Sequence, residues 1–257
     1  MSIGVEAVDV SVRHGNATRL TSVSISLEPG RVHAIIGANG SGKSTLLTVL
    51  AGELNPSGGT VHLKINDTTR SWRDIRVTEA ARLRALLAQE TPTAFAYTVT
   101  DVISWGRLPW RGTANAADDE SVLAEEIQAN DIAHLLDRHI TELSGGERAR
   151  VHLARVLAQR AALLLLDEAD AALDLAGQAH LDAAVERRRD AGDTIVVISH
   201  DLTRVAAIAD TVTVLKDGHL LTHGNVAATM TTDILSEAYS IPIEVRMIDD
   251  TLLIRRP

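Results

Sequence analysis

The stretch Gly37-Ala38-Asn39-Gly40-Ser41-Gly42-Lys43-Ser44-Thr45 constrains this chain more than any other. It follows Arg31 to Ile36 (RVHAII), which reads as a buried strand, and precedes Leu46 to Ala51, which reads as a helix. Gly37 to Ser44 therefore matches G-x-x-x-x-G-K-[ST] in the strand–loop–helix setting that gives the pattern its meaning. Glycines allow backbone N–H groups to converge on phosphate oxygens, and the helix N-terminus adds its positive end. Lys43 can reach the β- and γ-phosphates of a nucleotide, and the Ser44 hydroxyl can ligate Mg²⁺. Gly37, Asn39, Gly40, Ser41, Gly42, Lys43, Ser44 and Thr45 are the expected nucleotide contacts, and an α/β fold is expected around them.

The rest of the chain organises itself about that loop. Val5 to Val12 and Val23 to Leu27 are short β-branched stretches, ended by the turn Glu28-Pro29-Gly30. Thr60 to Ile65 and Ala85 to Ala88 read as strands. From about residue 91 to residue 159 strand-like runs give way to helical ones: Val99 to Arg107, Ala116 to Gln128 and Gly145 to Ala158. This is expected to be a helical subdomain inserted in the α/β core. Leu163 to Leu166 and Thr194 to Ile198 are continuous apolar runs, as central parallel strands require. Helices are expected from Asp174 to Arg189, near Asp201 to Ile208 and near Asp233 to Tyr239. Hairpins are expected around Lys216-Asp217-Gly218-His219 and around Asp249-Asp250.

Leu163-Leu164-Leu165-Leu166-Asp167-Glu168 places two carboxylates at the end of a buried strand, where open α/β sheets bind ligands. Asp167 is placed to hold Mg²⁺, and Glu168 could polarise an attacking water. Such a pair by itself is commonly a solvated loop; the phosphate loop upstream favours the catalytic reading. Leu143-Ser144-Gly145-Gly146-Glu147 offers a second anion site, a hydroxyl and two glycine N–H groups opening a helix. A plain N-cap explains Ser144 but not the paired glycines.

Phosphate loop, Gln89, LSGGE, LLLLDE and an isolated His200 occur here in the order found in the ATPase subunit of an ABC (ATP-binding cassette) transporter, which this chain resembles over essentially its whole length. The resemblance implies a P-loop NTPase (RecA-like) core with an N-terminal antiparallel β subdomain and the helical insertion. It implies ATP and Mg²⁺, and a head-to-tail dimer with each ATP between Lys43 of one copy and Ser144, Gly145 and Gly146 of the other. Gln89 resembles the glutamine linking Mg²⁺ and water to a transmembrane partner. His200 resembles the switch histidine on the γ-phosphate. Asp174 resembles the aspartate that crosses the dimer interface, a role compatible with capping a helix. Two departures stand out. Ala169-Asp170-Ala171 replaces the family's usual Pro-Thr-Ser, and Arg13-His14-Gly15 stands where a tyrosine usually stacks on adenine. His14 can stack with less area, or be an ordinary surface residue.

Within the family, Ala94-Phe95-Ala96-Tyr97-Thr98-Val99-Thr100-Asp101-Val102, Gly106-Arg107-Leu108-Pro109 and Ala238 to Val245 are similar to ATPases of iron-siderophore, haem and vitamin B12 importers, the haem branch most of all. That implies a transmembrane permease dimer as partner, an extracytoplasmic binding protein acting indirectly, and a place on the cytoplasmic face of the membrane. Surfaces near Gln89, Trp105 and Trp110 would receive the permease, unless those tryptophans are internal packing. Composition supports a globular protein without disulfides. The 257 residues include no cysteine, and the formal net charge of −9 disfavours a nucleic-acid partner. The start, MSIGVEAVDV, shows no signal-peptide pattern, and AALLLL at Ala161 to Leu166 is too short to span a bilayer. The competing functions are a non-transport ABC ATPase acting on nucleic acid or a protein complex, and a regulatory nucleotide-binding module without turnover. Intact Glu168 and His200 speak against the latter.

Overall fold

The computed structural model describes residues 1–15, 17–89, 95–249 and 251–257. The expected start of the helical segment at Thr91, Ala94 of the importer-like segment and Asp250 of the last hairpin lie outside the described residues. β1 (Ile3–His14) and β2 (Ala17–Leu27) are longer than their apolar cores, because polar residues extend the hairpin toward its tip. Along β1, Ile3, Val5 and Ala7 face inward; a bulge at Asp9 resets the alternation, so that Val10 and Val12 follow. β3 (Val32–Ile36) is buried at every position and leads to α1 (Lys43–Leu50). β4 (Gly58–Ile65) and β5 (Thr68–Ser71) complete a four-stranded antiparallel sheet ordered β2-β1-β4-β5. α2 (Val77–Leu83) and β6 (Arg84–Leu87) follow.

Between β6 and the next strand the chain folds as helices: α3 (Val99–Ser104), α4 (Asp119–Ala129) and α5 (Gly145–Ala158), with 3₁₀ turns between them. The helix expected to reach Arg107 ends at Ser104. Trp105–Trp110 is a 3₁₀ turn containing Pro109, whose missing N–H cannot continue an α-helix. Val99, Ile103, Ile132, Leu135, Leu143 and Val151 form a cluster of their own here. Among the two open tryptophans, Trp110 is internal packing: its indole N–H donates to Gln159 O (2.7 Å), and the Arg82 and Arg107 guanidinium groups lie over its ring. Trp105 instead stacks edge-on against Tyr97, which is partly exposed beside Phe95.

β7 (Leu163–Asp167), α6 (Leu175–Asp190), β8 (Thr194–Ile198) and α7 (Leu202–Ile208) return to the α/β alternation. β9 (Thr211–Lys216) and β10 (His219–Asn225) form the expected hairpin. α8 (Val226–Thr229), α9 (Thr232–Tyr239), β11 (Glu244–Ile248) and β12 (Thr251–Arg255) close the chain. The central sheet is ordered β10-β9-β3-β8-β7-β6, with all pairs parallel except β10 on β9.

Strand alternation assigns each apolar residue to one of two cores. Ile35, Leu163, Leu165, Val196 and Ile198 meet α1 and the antiparallel sheet. Ala34, Ile36, Leu164, Leu166 and Val197 meet α5, α6, α7 and α9 on the other face. Each fully buried leucine of β7 contributes roughly 1.5–3 kcal/mol. Two histidines, His33 buried and His223 half-buried, stitch the β layers. His33 bonds Thr211 Oγ1 (2.6 Å) and Glu28 O (2.8 Å); His223 bonds Thr213 Oγ1 (2.9 Å) and Ser26 O (3.1 Å). Desolvation lowers the pKa of both rings, so they are held neutral. The consequence for function is positional: the loops after β3, β6, β7 and β8 all leave one carboxyl edge of the sheet.

Candidate nucleotide site

The loop after β3 is shaped by glycines that nothing else could replace. A Cβ on Gly37, whose φ is 148°, would lie 2.2 Å from Leu215 O. Gly42, with φ 101°, caps α1; its Cβ would lie 2.7 Å from Leu20 Cδ2 and 2.9 Å from Arg19 O. The loop is thus wedged between β9 and β2. Lys43 is only 6% exposed, and its ammonium donates to Gly37 O (2.9 Å) and Ala38 O (3.2 Å). Burial pushes its pKa down, while the Glu168 and Asp167 carboxylates pull it back up.

Glu168 sits at the centre of the constellation. Its φ of 50° is uncommon for a residue with a side chain, and its N–H donates to Ile198 O (3.0 Å), locking the turn after β7 to β8. Gln89 Nε2 donates to Glu168 Oε2 at 2.7 Å, and His200 Nε2 lies 2.7 Å from Glu168 Oε1. Sequence positions 89, 168 and 200 therefore converge on one carboxylate. A cavity of about 400 Å³ opens beside it, bounded by Asn39, Gly40, Gly42–Thr45, Gln89, Glu168 and His200.

Asp167 is nearly buried, and burial raises its carboxyl above the usual range, with the Ser44 hydroxyl bonded beside it acting the other way. Its Oδ1 is buried without a hydrogen-bond partner. An orphaned carboxylate oxygen beside a hydroxyl, with the Gln89 amide close by, is a donor set of hard oxygens that fits Mg²⁺. Among the described residues no cluster of three or more His, Asp or Glu is arranged for a metal, so much of such an ion's shell must come from phosphate and water.

The remaining expected residues lie elsewhere. Gly37 and Ser41 are off the cavity wall, and Ser41 Oγ is buried without a partner. Ser144 caps α5: its Oγ accepts from Glu147 N (3.3 Å), while its own N–H donates to Glu147 Oε2 (2.8 Å). Neither Ser144, Gly146 nor Asp174 lines the Lys43 cavity; Asp174 Oδ1 accepts from Gly177 N (2.8 Å) and caps α6. Gly145 borders a separate cleft of about 520 Å³ that also touches Gln89, Asp167 and Glu168. A Cβ on Gly145 would meet nothing within 4 Å, so this chain's own packing does not require glycine there.

His14 is exposed at the end of β1, paired with Ala17 and away from the cavity wall. The wall instead includes Arg19, which the sequence alone does not single out. No local motif marks it; only the long-range contact of β2 with Gly42 brings it there. Ala17 lies two residues, about 7 Å, further along the strand, so His14 continues the line that starts at the phosphate loop and passes Arg19.

A strand–glycine loop–helix cradle with a paired acidic turn, a glutamine and a histidine at one sheet edge defines a nucleotide-hydrolysing P-loop protein. The ABC transporter family model matches residues 20–171, and the chain belongs to that family: it is an ATP-binding cassette ATPase. It is 40% identical over 244 residues to the hemin import ATP-binding protein HmuV of Rhodococcus jostii, covering 95% of this chain and 82% of that protein. It is 45% identical over 227 residues to HmuV of Nocardia farcinica, covering 88% and 77% respectively. A solved metal-chelate-type ABC transporter in an inward-facing conformation shares the fold, with a TM-score of 0.79, 24% identity and coverage of 98% and 96%. Among the described residues no helix is long and apolar enough to cross a membrane.

Proposed function

We propose that this chain is the ATP-hydrolysing subunit that powers import of haem, or a related iron chelate, through a separate permease. The observation that carries the hydrolytic reading is the Glu168 carboxylate, held by Gln89 and His200 at the mouth of the Lys43 cavity. The hemin-import names of relatives 40–45% identical support the cargo class.

In this reading ATP enters with its phosphates on the N–H groups of Gly40 to Thr45 and on Lys43. Arg19 lies along the ribose and α-phosphate, and His14 on the adenine. Ser44, Asp167 and Gln89 would hold Mg²⁺, which would supply positive charge against the phosphates. Before substrate arrives both Glu168 oxygens are engaged. A γ-phosphate offers His200 a new acceptor and draws Gln89 away, so the carboxylate is released to polarise water when substrate is in place.

Ser144, Gly145 and Gly146 act on the ATP of a second copy. The exposure of Ser144 and Gly145 at a helix N-terminus, and a glycine at 145 that local packing does not demand, suit an anion approaching from outside the chain. Asp174 reaches the same interface. The described residues 95–159 of the inserted segment serve as the helical subdomain, and the Phe95–Tyr97–Trp105 patch receives the permease at the cytoplasmic membrane face. A binding protein outside the membrane delivers cargo to that permease.

The test is Glu168→Gln. It should keep ATP binding, lose at least about a hundredfold in turnover, and trap a dimer with Mg²⁺-ATP on a sizing column. Adding Ser144→Arg should abolish the trapped dimer. Full turnover by Glu168→Gln would remove Glu168 from catalysis, and a persisting dimer in the double variant would exclude the head-to-tail arrangement. Haem-stimulated turnover of the reconstituted transporter tests the cargo.

A further inference from the structure

The turn that follows Glu168 departs from the family pattern at Asp170, and that residue is not an idle surface charge. Its side chain is 11% exposed. Ser199 Oγ donates to Asp170 Oδ2 at 2.5 Å, and Arg204 Nη1 lies 3.2 Å from the same oxygen. Ser199 is the residue before His200, and its Oγ also accepts the N–H of Asp201, the cap of α7, at 3.0 Å. Arg204, on the first turn of α7 and 9% exposed, continues to Asp182 of α6, with Nη2 2.6 Å and Nε 2.7 Å from Oδ1. One carboxylate thus joins the loop bearing Glu168 to the loop bearing His200 and fastens both to α6 and α7.

We propose that Asp170 is a positioning residue for hydrolysis, acting through Ser199 and Arg204 to hold His200 in register with Glu168. The inference rests on the roles given above to Glu168 and His200. The physical argument concerns freedom of motion. His200 is 44% exposed on its side chain, so little packing fixes the ring. Its backbone is instead pinned from the preceding residue, by a buried charge-assisted hydrogen bond, which is shorter and stronger than a neutral one. A charged acceptor held by two donors also fixes direction, because Asp170 Oδ2 receives the hydroxyl and the guanidinium together. Loss of this tether should leave the phosphate loop, Lys43 and Asp167 in place, since the side-chain bonds of Asp170 go to Ser199 and Arg204 instead. Substrate affinity should survive while the geometry for water attack degrades.

The experiment compares Asp170→Asn and Ser199→Ala with the parent protein and with Glu168→Gln, measuring kcat, KM and ATP affinity. Asp170→Asn keeps the shape and an acceptor for Ser199 but removes the charge on Arg204; Ser199→Ala removes the hydroxyl that reaches the switch loop. Each is expected to lower kcat about ten- to a hundredfold, as small misplacements of reacting groups do, with KM and ATP affinity within about twofold. The double variant should be no slower than the slower single one, because both changes cut one tether. Asp170→Glu should recover part of the rate. Wild-type kcat in both variants overturns the proposal, as does a fall in melting temperature with kcat unchanged, which would make the cluster purely structural. If Asp170→Asn does not fold, Ser199→Ala alone decides by the same criterion. A Glu168→Gln protein that still turns over would mark failure of the catalytic assignment itself, and is read separately.

Discussion

His152 on α5 should make this protein labile to acid, and His152→Leu should remove that lability. The imidazole is 6% exposed, and neither ring nitrogen has a hydrogen-bond partner among the described residues. Burial, reinforced by repulsion from Arg155 and Arg148, holds its pKa at about 4, against 6.5 for a free histidine. The folded value lies below the unfolded one, so the unfolded chain takes up a proton that the folded chain refuses. Stability is therefore intact above about pH 6.5, declines as the pH falls toward 4, and declines no further from this source below that. A shift of that size corresponds to about 3 kcal/mol in full, and to about 2 kcal/mol by pH 5. Leucine has similar volume and no nitrogens to desolvate, so the variant should also gain about 1 kcal/mol at neutral pH. Urea unfolding of both proteins at pH 7 and pH 5, followed by tryptophan fluorescence, gives the difference directly. His33 and His223 titrate in the same direction but are common to both proteins and cancel. If the loss between pH 7 and pH 5 is equal in the two proteins, His152 is not the neutral buried ring described above.

Two predictions concern the nucleotide. Lys43→Ala should abolish tight ATP binding by calorimetry, because the loop loses the buried ammonium that lines the cavity; unchanged affinity would move the site elsewhere. Arg19→Ala should raise KM for ATP with kcat at saturation nearly kept, since the side chain is exposed and folding does not depend on it, and His14→Tyr should tighten binding by roughly 0.5–1.5 kcal/mol through a larger stacking face. Identical affinities in all three proteins would remove both residues from the site.

The sheet interior was legible because the chain writes it in unbroken apolar runs. Leu163 to Leu166 and Thr194 to Ile198 became central strands with hardly a shift in boundary. Asp174, Ser144 and Asp201 announced helix starts by residue type, and each caps the helix that follows. The segment from Thr68 to Leu83 was not legible. Its β5 edge strand and α2 are short, charged and mostly half-exposed, so neither a period of two nor of 3.6 emerges. At the site, local motifs gave Lys43, Glu168 and His200, whereas Arg19 and the Asp170–Ser199–Arg204 cluster depend on contacts between distant segments. Trp110 could not be told from a docking residue until its indole was seen bonded to Gln159.

The Lys43 cavity and the capped serine at Ser144 lie on different walls of the same chain. In the proposed dimer this makes inheritance of defects unusual. A Lys43→Ala chain paired with a Ser144→Arg chain brings both lesions together at one interface and leaves the other interface built from two sound halves. Two alleles that are each inactive alone would then complement when expressed together, whereas two alleles damaged in the same half would not. In that dimer, where one sound interface sustains turnover, one loop and one helix terminus on a single polypeptide would sort loss-of-function mutations into two complementation groups within one gene.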